Sequence, residues 1–242
     1  MIPLRDTIRS RSFPLVNLLI IALNVLVFIF EISLSPNGLD RLIATYGLVP
    51  ARLHLNQPLL LLNNPLPLIT MFSHMYLHGG WLHIISNMWV LFIFGDNVED
   101  RMGSGRYFVF YTLSGLASGL LQSLVAPTSR VPAIGASGAI AGVLGAYFIL
   151  YPAGRVLTLI PIFIIPWFVE IPAIVFLGFW FITQLFSGLL ALNVPNAANM
   201  GGVAWWAHIG GFLFGIFANR LFIRHVHPDY YRQYPSPPED IL

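Results

Sequence analysis

The chain has 242 residues, of which 57% are hydrophobic and only 9% charged, with a mean hydropathy of +0.76. A water-soluble domain carries about 25% charged residues, so this composition excludes one and points to a membrane protein. The absence of cysteine excludes disulfides, Cys-ligated metals and a thiol nucleophile, and the net charge of +2 comes from twelve Arg scattered between apolar runs, which excludes a nucleic-acid surface.

Six apolar runs approach the roughly 20 helical residues that cross a bilayer. They cover residues 14–34, 80–97, 106–126, 132–150, 172–192 and 203–223. The first follows Arg5, Arg9 and Arg11, as a signal peptide would, but it is too long and has no small-residue cleavage site. It reads as a retained anchor. The expected fold is an all-α membrane protein, a six-helix bundle with a long, partly membrane-embedded first outer loop at 35–79. Residues 1–13 read as a cytoplasmic segment, 14–224 as one six-helix domain, and 225–242, with four prolines, as a disordered tail.

Between the runs, residues 59–68 are too short and Pro-broken to span and read as an interfacial or re-entrant element. Residues 156–166, with Pro161 and Pro166, read as a stretch along the inner face. Residues 193–202 have the composition of a mobile loop. Nine Arg fall on one side of this threading and Arg41, Arg52 and Arg130 on the other. The positive-inside rule then puts both termini in the cytoplasm. The absence of lysine and the compact core point to a prokaryotic inner membrane.

Polar residues line up by depth in this threading. Ser137, in Gly135-Ala136-Ser137-Gly138, and His208 each fall near the outer end of an apolar run, where a polar group is costly unless it has a function. His83 and Asn87 are four residues apart on the outer half of the second run and share a helix face. Gly138, Gly142 and Gly145 on the fourth run, and Gly211 and Gly215 on the sixth, have the spacing that lets helix backbones touch. That contact would bring Ser137 within reach of His208. Imidazole can take the serine proton, and the carboxylates lie at the inner end (Asp96, Glu99, Asp100) or in segment-end regions (Glu31, Glu170), so the expected unit is a Ser–His dyad. Asn87, His83 and the Ser137 N–H are the expected oxyanion donors.

Blander readings stand beside this one. A lone serine or histidine in a membrane helix often only bonds a neighbouring backbone. Gly-x-Ser-Gly is not the soluble-hydrolase elbow, because Ala139 stands where that motif needs glycine. His74, His78 and His83 are conceivable metal ligands, but they lack a His-Glu-x-x-His pattern. A channel or transporter would need a continuous polar path or duplicated halves, and the runs offer neither.

Taken together, His78-Gly79-Gly80-Trp81-Leu82-His83-Ile84-Ile85-Ser86-Asn87, Gly135-Ala136-Ser137-Gly138 and Ala207-His208-Ile209-Gly210-Gly211 resemble the rhomboid family of intramembrane serine proteases. The resemblance covers residues 14–223. It implies a catalytic pair Ser137 and His208, oxyanion support from Asn87 and His83, a supporting role for His78 and Gly135, and no cofactor. It also implies transmembrane protein substrates in a lipid bilayer. On our own reading of the segments, residues 193–202 are expected to act as a lid and Phe179, Trp180 and Phe181 to border the way in. A rhomboid-like protein that only binds membrane helices is the alternative, and such proteins usually lack the serine or the histidine. Two positions depart from the family pattern. Leu66-Pro67 stands where many rhomboids have Trp-Arg before a threonine, here Thr70, and Ala141 stands where some relatives stack an aromatic ring under the histidine. Another residue must therefore support the His208 ring.

Overall fold

The computed structural model describes residues 1–53, 64–162, 165–193 and 203–224. Among these are the helices α1 (Leu15–Ser33), α2 (Pro36–Tyr46), α3 (Leu66–Ser73), α4 (Trp81–Met102), α5 (Ser104–Val125), α6 (Ser137–Leu150), α7 (Ala173–Asn193) and α8 (Trp205–Ala218). Three strands join them, β1 (Ile2–Asp6), β2 (Arg155–Ile162) and β3 (Ile165–Pro172).

The centre of the molecule is α6. Every residue from Gly138 to Tyr147 is buried, as expected of a helix that is apolar all round. It packs against α4, α5, α7 and α8, most closely against α8. Small residues make that approach possible. A methyl group on Gly211 would overlap the Gly138 carbonyl oxygen, and one on Gly215 would overlap the Gly142 carbonyl. On its other side α6 presses Gly138 and Gly142 against Ser118 and Ser114 of α5.

By contrast α1 is peripheral. It buries only Asn17, Ile20, Asn24, Phe28 and Glu31, one stripe at helical spacing, and leaves Leu19, Leu23, Leu26 and Phe30 exposed. Its N-terminus has no side-chain cap of its own. The carboxylate of Glu99 on α4 takes that place, accepting the Val16 and Asn17 N–H groups at 3.0 and 2.7 Å. Such a cap is worth about 1 kcal/mol, and the negative charge also suits the helix dipole. Asn17 in turn donates to the Leu91 carbonyl and accepts the Tyr107 hydroxyl, tying α1 to α4 and α5. The turn from α4 into α5 is the single residue Gly103, whose φ of +78° favours glycine.

Among the described residues, three helices are long and apolar enough to cross a membrane: α1, α5, and α7 as far as Leu192. Residues 66–76 and 81–102, bent by 79°, make a fourth span if taken as one. Helices α6 and α8 have 14 residues each, about 21 Å at 1.5 Å per residue. That is less than the hydrocarbon core of about 30 Å, so helix lengths give three or four spans where six were expected. The fourth apolar run starts at 132, but its helix starts five residues later. Leu48 and Ala133 form a β-bridge, and Gly135 at φ +124° turns the chain before the helix can begin.

An all-α fold is corrected by the sheet. The 156–166 stretch is part of an antiparallel hairpin in which Val156 faces Ile171 and Ile160 faces Trp167. Val156, Thr158, Ile160 and Ile162 favour extended backbone, and Pro161 opposite Pro166 cannot feed a helix. The first residues join the same sheet, with Ile2 opposite Leu159 and Asp6 opposite Val156. The order is β1-β2-β3. Within the long 35–79 connection, α2 starts at a Ser35 cap and α3 follows the 3-10 turn Pro50–Arg52. The expected re-entrant element at 59–62, the lid at 194–202 and the tail at 225–242 lie outside the described residues.

Asp6 anchors β1 to the bundle, accepting the Tyr147 hydroxyl at 2.6 Å and the Asn97 amide at 2.8 Å. Burial, helped by the nearby Asp96 carboxyl and opposed by the Tyr147 bond, raises its pKa from 3.8 to about 6. The folded state therefore binds this proton more tightly than the unfolded chain does. Its contribution to stability is fully present below about pH 4 and is lost as pH rises through about 6. Thermal unfolding in detergent should show that decline in the native chain and lose that component of it in Asp6→Asn.

Candidate active site

Ser137 is the first residue of α6 and His208 the fourth of α8. Because the two helices touch, His208 Nε2 lies 2.8 Å from Ser137 Oγ. The other ring nitrogen, Nδ1, lies 2.8 Å from Oε1 of Gln184 on α7. The Gln184 amide nitrogen is turned the opposite way, towards the Trp180 carbonyl at 3.3 Å and the Thr183 hydroxyl at 3.2 Å. An amide oxygen only accepts, so this arrangement puts the imidazole proton on Nδ1. Nε2 is then left as the acceptor for the serine O–H. Gln122 of α5 steadies the start of α8 by accepting the Ala207 N–H at 3.2 Å.

With Ala141 under the dyad, aromatic support for the imidazole comes from elsewhere. The Trp180 ring lies against His208 with centroids 5.9 Å apart and planes 33° from parallel, and Trp205 meets it edge-on at 6.3 Å. Trp205, at the start of α8, thus sits beside the histidine.

Ser137, His208 and Asn87 line one cavity of about 620 Å³, together with Trp180 and Phe176 of α7 and Leu82, Ile85 and Trp89 of α4. Asn87 is buried, and its Nδ2 has no hydrogen-bond partner among the described residues. Buried polar groups are normally paired, so an amide donor left free in the cavity that Ser137 lines is available to a ligand. His83 stands one turn above Asn87. It accepts the Gly79 N–H on Nδ1 at 3.2 Å, which leaves the proton on Nε2. That Nε2 hangs over Gly135, where a methyl group would come within 2.6 Å of it. At φ +124° and under an imidazole, only glycine fits position 135. The Ser137 N–H belongs to the first turn of α6, whose N–H groups have no partner inside the helix. Asn87 shares the cavity with Ser137, and both His83 Nε2 and Ser137 Oγ lie within 4 Å of where a methyl group on Gly135 would stand.

His78 sits one step back. Its N–H donates to the Glu31 carboxylate at 3.1 and 3.2 Å, its ring meets His83 edge-on at 5.0 Å, and both ring nitrogens are buried without a partner among the described residues. His74 is committed elsewhere, with Nδ1 2.8 Å from the Thr70 carbonyl and its own carbonyl accepting the Gly135 N–H. The structure thus gathers Ser137, His208 and Asn87 in the cavity, with His83 and Gly135 stacked beside them and His78 behind. The sequence pattern singled out Trp180 only as a residue bordering substrate entry, not as a partner of His208, and did not single out Gln184. Gln184, a strongly polar residue in an otherwise apolar run of 20, carried the same signal that singled out Ser137 and His208.

The Rhomboid domain family matches residues 66–225, about two thirds of the chain and all of this site. The protein belongs to the rhomboid family. Among curated relatives, this rhomboid is similar to Rhomboid protein 1, mitochondrial, of Saccharomyces cerevisiae. The two are 28% identical over 153 residues, covering 61% of this chain and 40% of the yeast protein. It is 31% identical over 206 residues to the human Presenilin-associated rhomboid-like protein, mitochondrial, covering 82% of this chain and 46% of that one. Rhomboid-like protease 5 of Toxoplasma gondii is 28% identical over 161 residues, covering 63% of this chain and 16% of the protease. This rhomboid spans less than half the length of each. The mitochondrial relatives overturn the expectation of a prokaryotic inner membrane with cytoplasmic termini. Lysine content and a compact core, which carried that expectation, do not encode a compartment.

Proposed function

We propose that this rhomboid is an intramembrane serine endopeptidase that cleaves transmembrane proteins, with residues 14–224 as its protease domain. The observation that carries the reading is the continuous relay from Ser137 Oγ through His208 to Gln184, with both contacts at 2.8 Å, opening into a cavity with an unpaired amide donor. In this reading Ser137 Oγ attacks the carbonyl carbon of the scissile peptide while its proton passes to His208 Nε2. Asn87 Nδ2, His83 Nε2 and the Ser137 N–H stabilise the oxyanion. His208 then gives the proton to the leaving amine, and water, activated by the same imidazole, hydrolyses the acyl-enzyme. Gln184 holds the tautomer that makes this possible, a positioning role, and His78 offers two ring nitrogens to water. The six apolar segments form the bundle, with α6 and α8 too short to span unaided. A mitochondrial membrane is the setting we propose, supported by the names of the yeast and human relatives.

Two substitutions separate these roles. Asn87→Ala removes an oxyanion donor and should lower kcat by about 10²–10³-fold with KM little changed. Gln184→Leu removes the group that fixes the imidazole and should cost about 10–100-fold, the equivalent of one buried hydrogen bond of about 1.5–3 kcal/mol. Gln184→Glu, which keeps the acceptor, should restore much of the rate. Steady-state cleavage assays on folded variants decide both.

An intact helix hides its peptide bonds, so the substrate segment has to unwind. Reconstituted into vesicles, the protein should cleave a single-pass substrate carrying Gly and Pro near one end of its span. A matched all-Leu span should survive. If both spans are bound and neither is cut, the protein is a helix-binding rhomboid-like protein.

A further inference from the structure

One part of the cavity wall comes from neither the bundle nor its loops. Met1 and, from β1, Ile2 and Pro3 line the same cavity as Ser137 and His208. The Pro3 carbonyl accepts the Trp89 indole N–H at 2.6 Å, so the strand lies between β2 and α4, on the side where α4 and α7 border the cavity. Geometry explains why it reaches so far. Asp6 is fastened to Tyr147, ten residues along α6 from Ser137, which is about 15 Å of helix. The five steps of extended chain from Asp6 back to Met1 cover about 16 Å. The strand therefore starts at the far end of α6 and ends at the level of the serine.

What β1 presents there is an apolar, Pro-containing, extended segment, with Ile2 opposite Leu159 and Pro3 opposite Thr158. That is the form an unwound membrane helix takes. An unpaired strand edge is a template for adding another extended chain, because its N–H and C=O groups need partners and water is scarce. The other edge of β2 is paired with β3, and on its remaining edge β1 stands between β2 and the cavity that Ile2 and Pro3 line. We propose that this edge of β2 is the docking rail for the extended segment of a transmembrane substrate, and that β1 fills it in cis as a resident strand that substrate has to displace. The proposal rests on the protease reading above. It adds the form in which substrate is held and the contact that restrains the free protein.

The chain has no cysteine, so one engineered pair tests the idea cleanly. Ile2→Cys with Leu159→Cys places thiols on residues directly opposite in register, a distance a disulfide spans. Two readouts are taken on each form: labelling of Ser137 by a small fluorophosphonate, and cleavage of the Gly/Pro-containing transmembrane substrate. The oxidised protein should still label, because β1 is in place when the native cavity is open. It should lose cleavage by about tenfold or more, and reductant should restore it. Ile2→Gly with Leu4→Gly, which weakens the strand and spares the Asp6 anchor, should lower KM several-fold. Cleavage by the oxidised pair at the native rate would make β1 a structural staple and overturn the proposal while leaving the protease reading intact. Absence of labelling in the folded native protein would overturn both.

Discussion

Replacing either Ser137 or His208 by Ala should lower cleavage of a transmembrane substrate by at least about 10⁴-fold, and the double variant should be no slower than either single one. The hydroxyl is a poor nucleophile until Nε2, 2.8 Å away, takes its proton, and Nε2 has no other described partner for that proton. Two groups that act as one unit lose their whole effect when either is removed. Independent roles would instead multiply the two losses. Steady-state rates on the four forms, with binding of uncut substrate measured alongside, give the answer.

The second large effect should come from a residue that touches no substrate. Gly211→Ala puts a methyl group into the Gly138 carbonyl oxygen, directly below the dyad. Backbone cannot move aside as a flexible side chain can, so α6 and α8 must separate. Overpacking of this kind costs about 1–3 kcal/mol. A displacement of about 1 Å between reacting groups can cost about 10²-fold in rate. The expected result is a lower Tm together with a fall in kcat larger than unfolding explains. Gly105→Ala is the control, since a methyl there meets nothing within 4 Å. It should leave both quantities unchanged or raise Tm slightly.

These two expectations mark how far the amino-acid pattern could be read. Helix positions were legible because long apolar runs are bounded by Pro, Gly and Arg, and α1, α5 and α7 lie within about two residues of their runs. The glycine spacing on α6 and α8 was legible for the same reason. The hairpin was not, because residues 155–172 are apolar on both faces and show no alternation to mark strands. β1 was further out of reach, since five residues become a strand only by pairing with β2 some 150 positions away. At the site, Ser137 and His208 stood out as polar groups in apolar runs. Gln184 was passed over because it precedes no motif, and its meaning depends on α7 turning it towards α8. Trp180, one turn before it, supplies the ring that Ala141 does not.

The most direct test of the central claim is to locate an active-site label. Folded, detergent-purified protein is treated with a fluorophosphonate and digested, and the modified residue is found by mass spectrometry. The account predicts one adduct, on Ser137, absent from His208→Ala even though that variant keeps the serine. A folded protein that takes no label, or that labels equally well without His208, would contradict it.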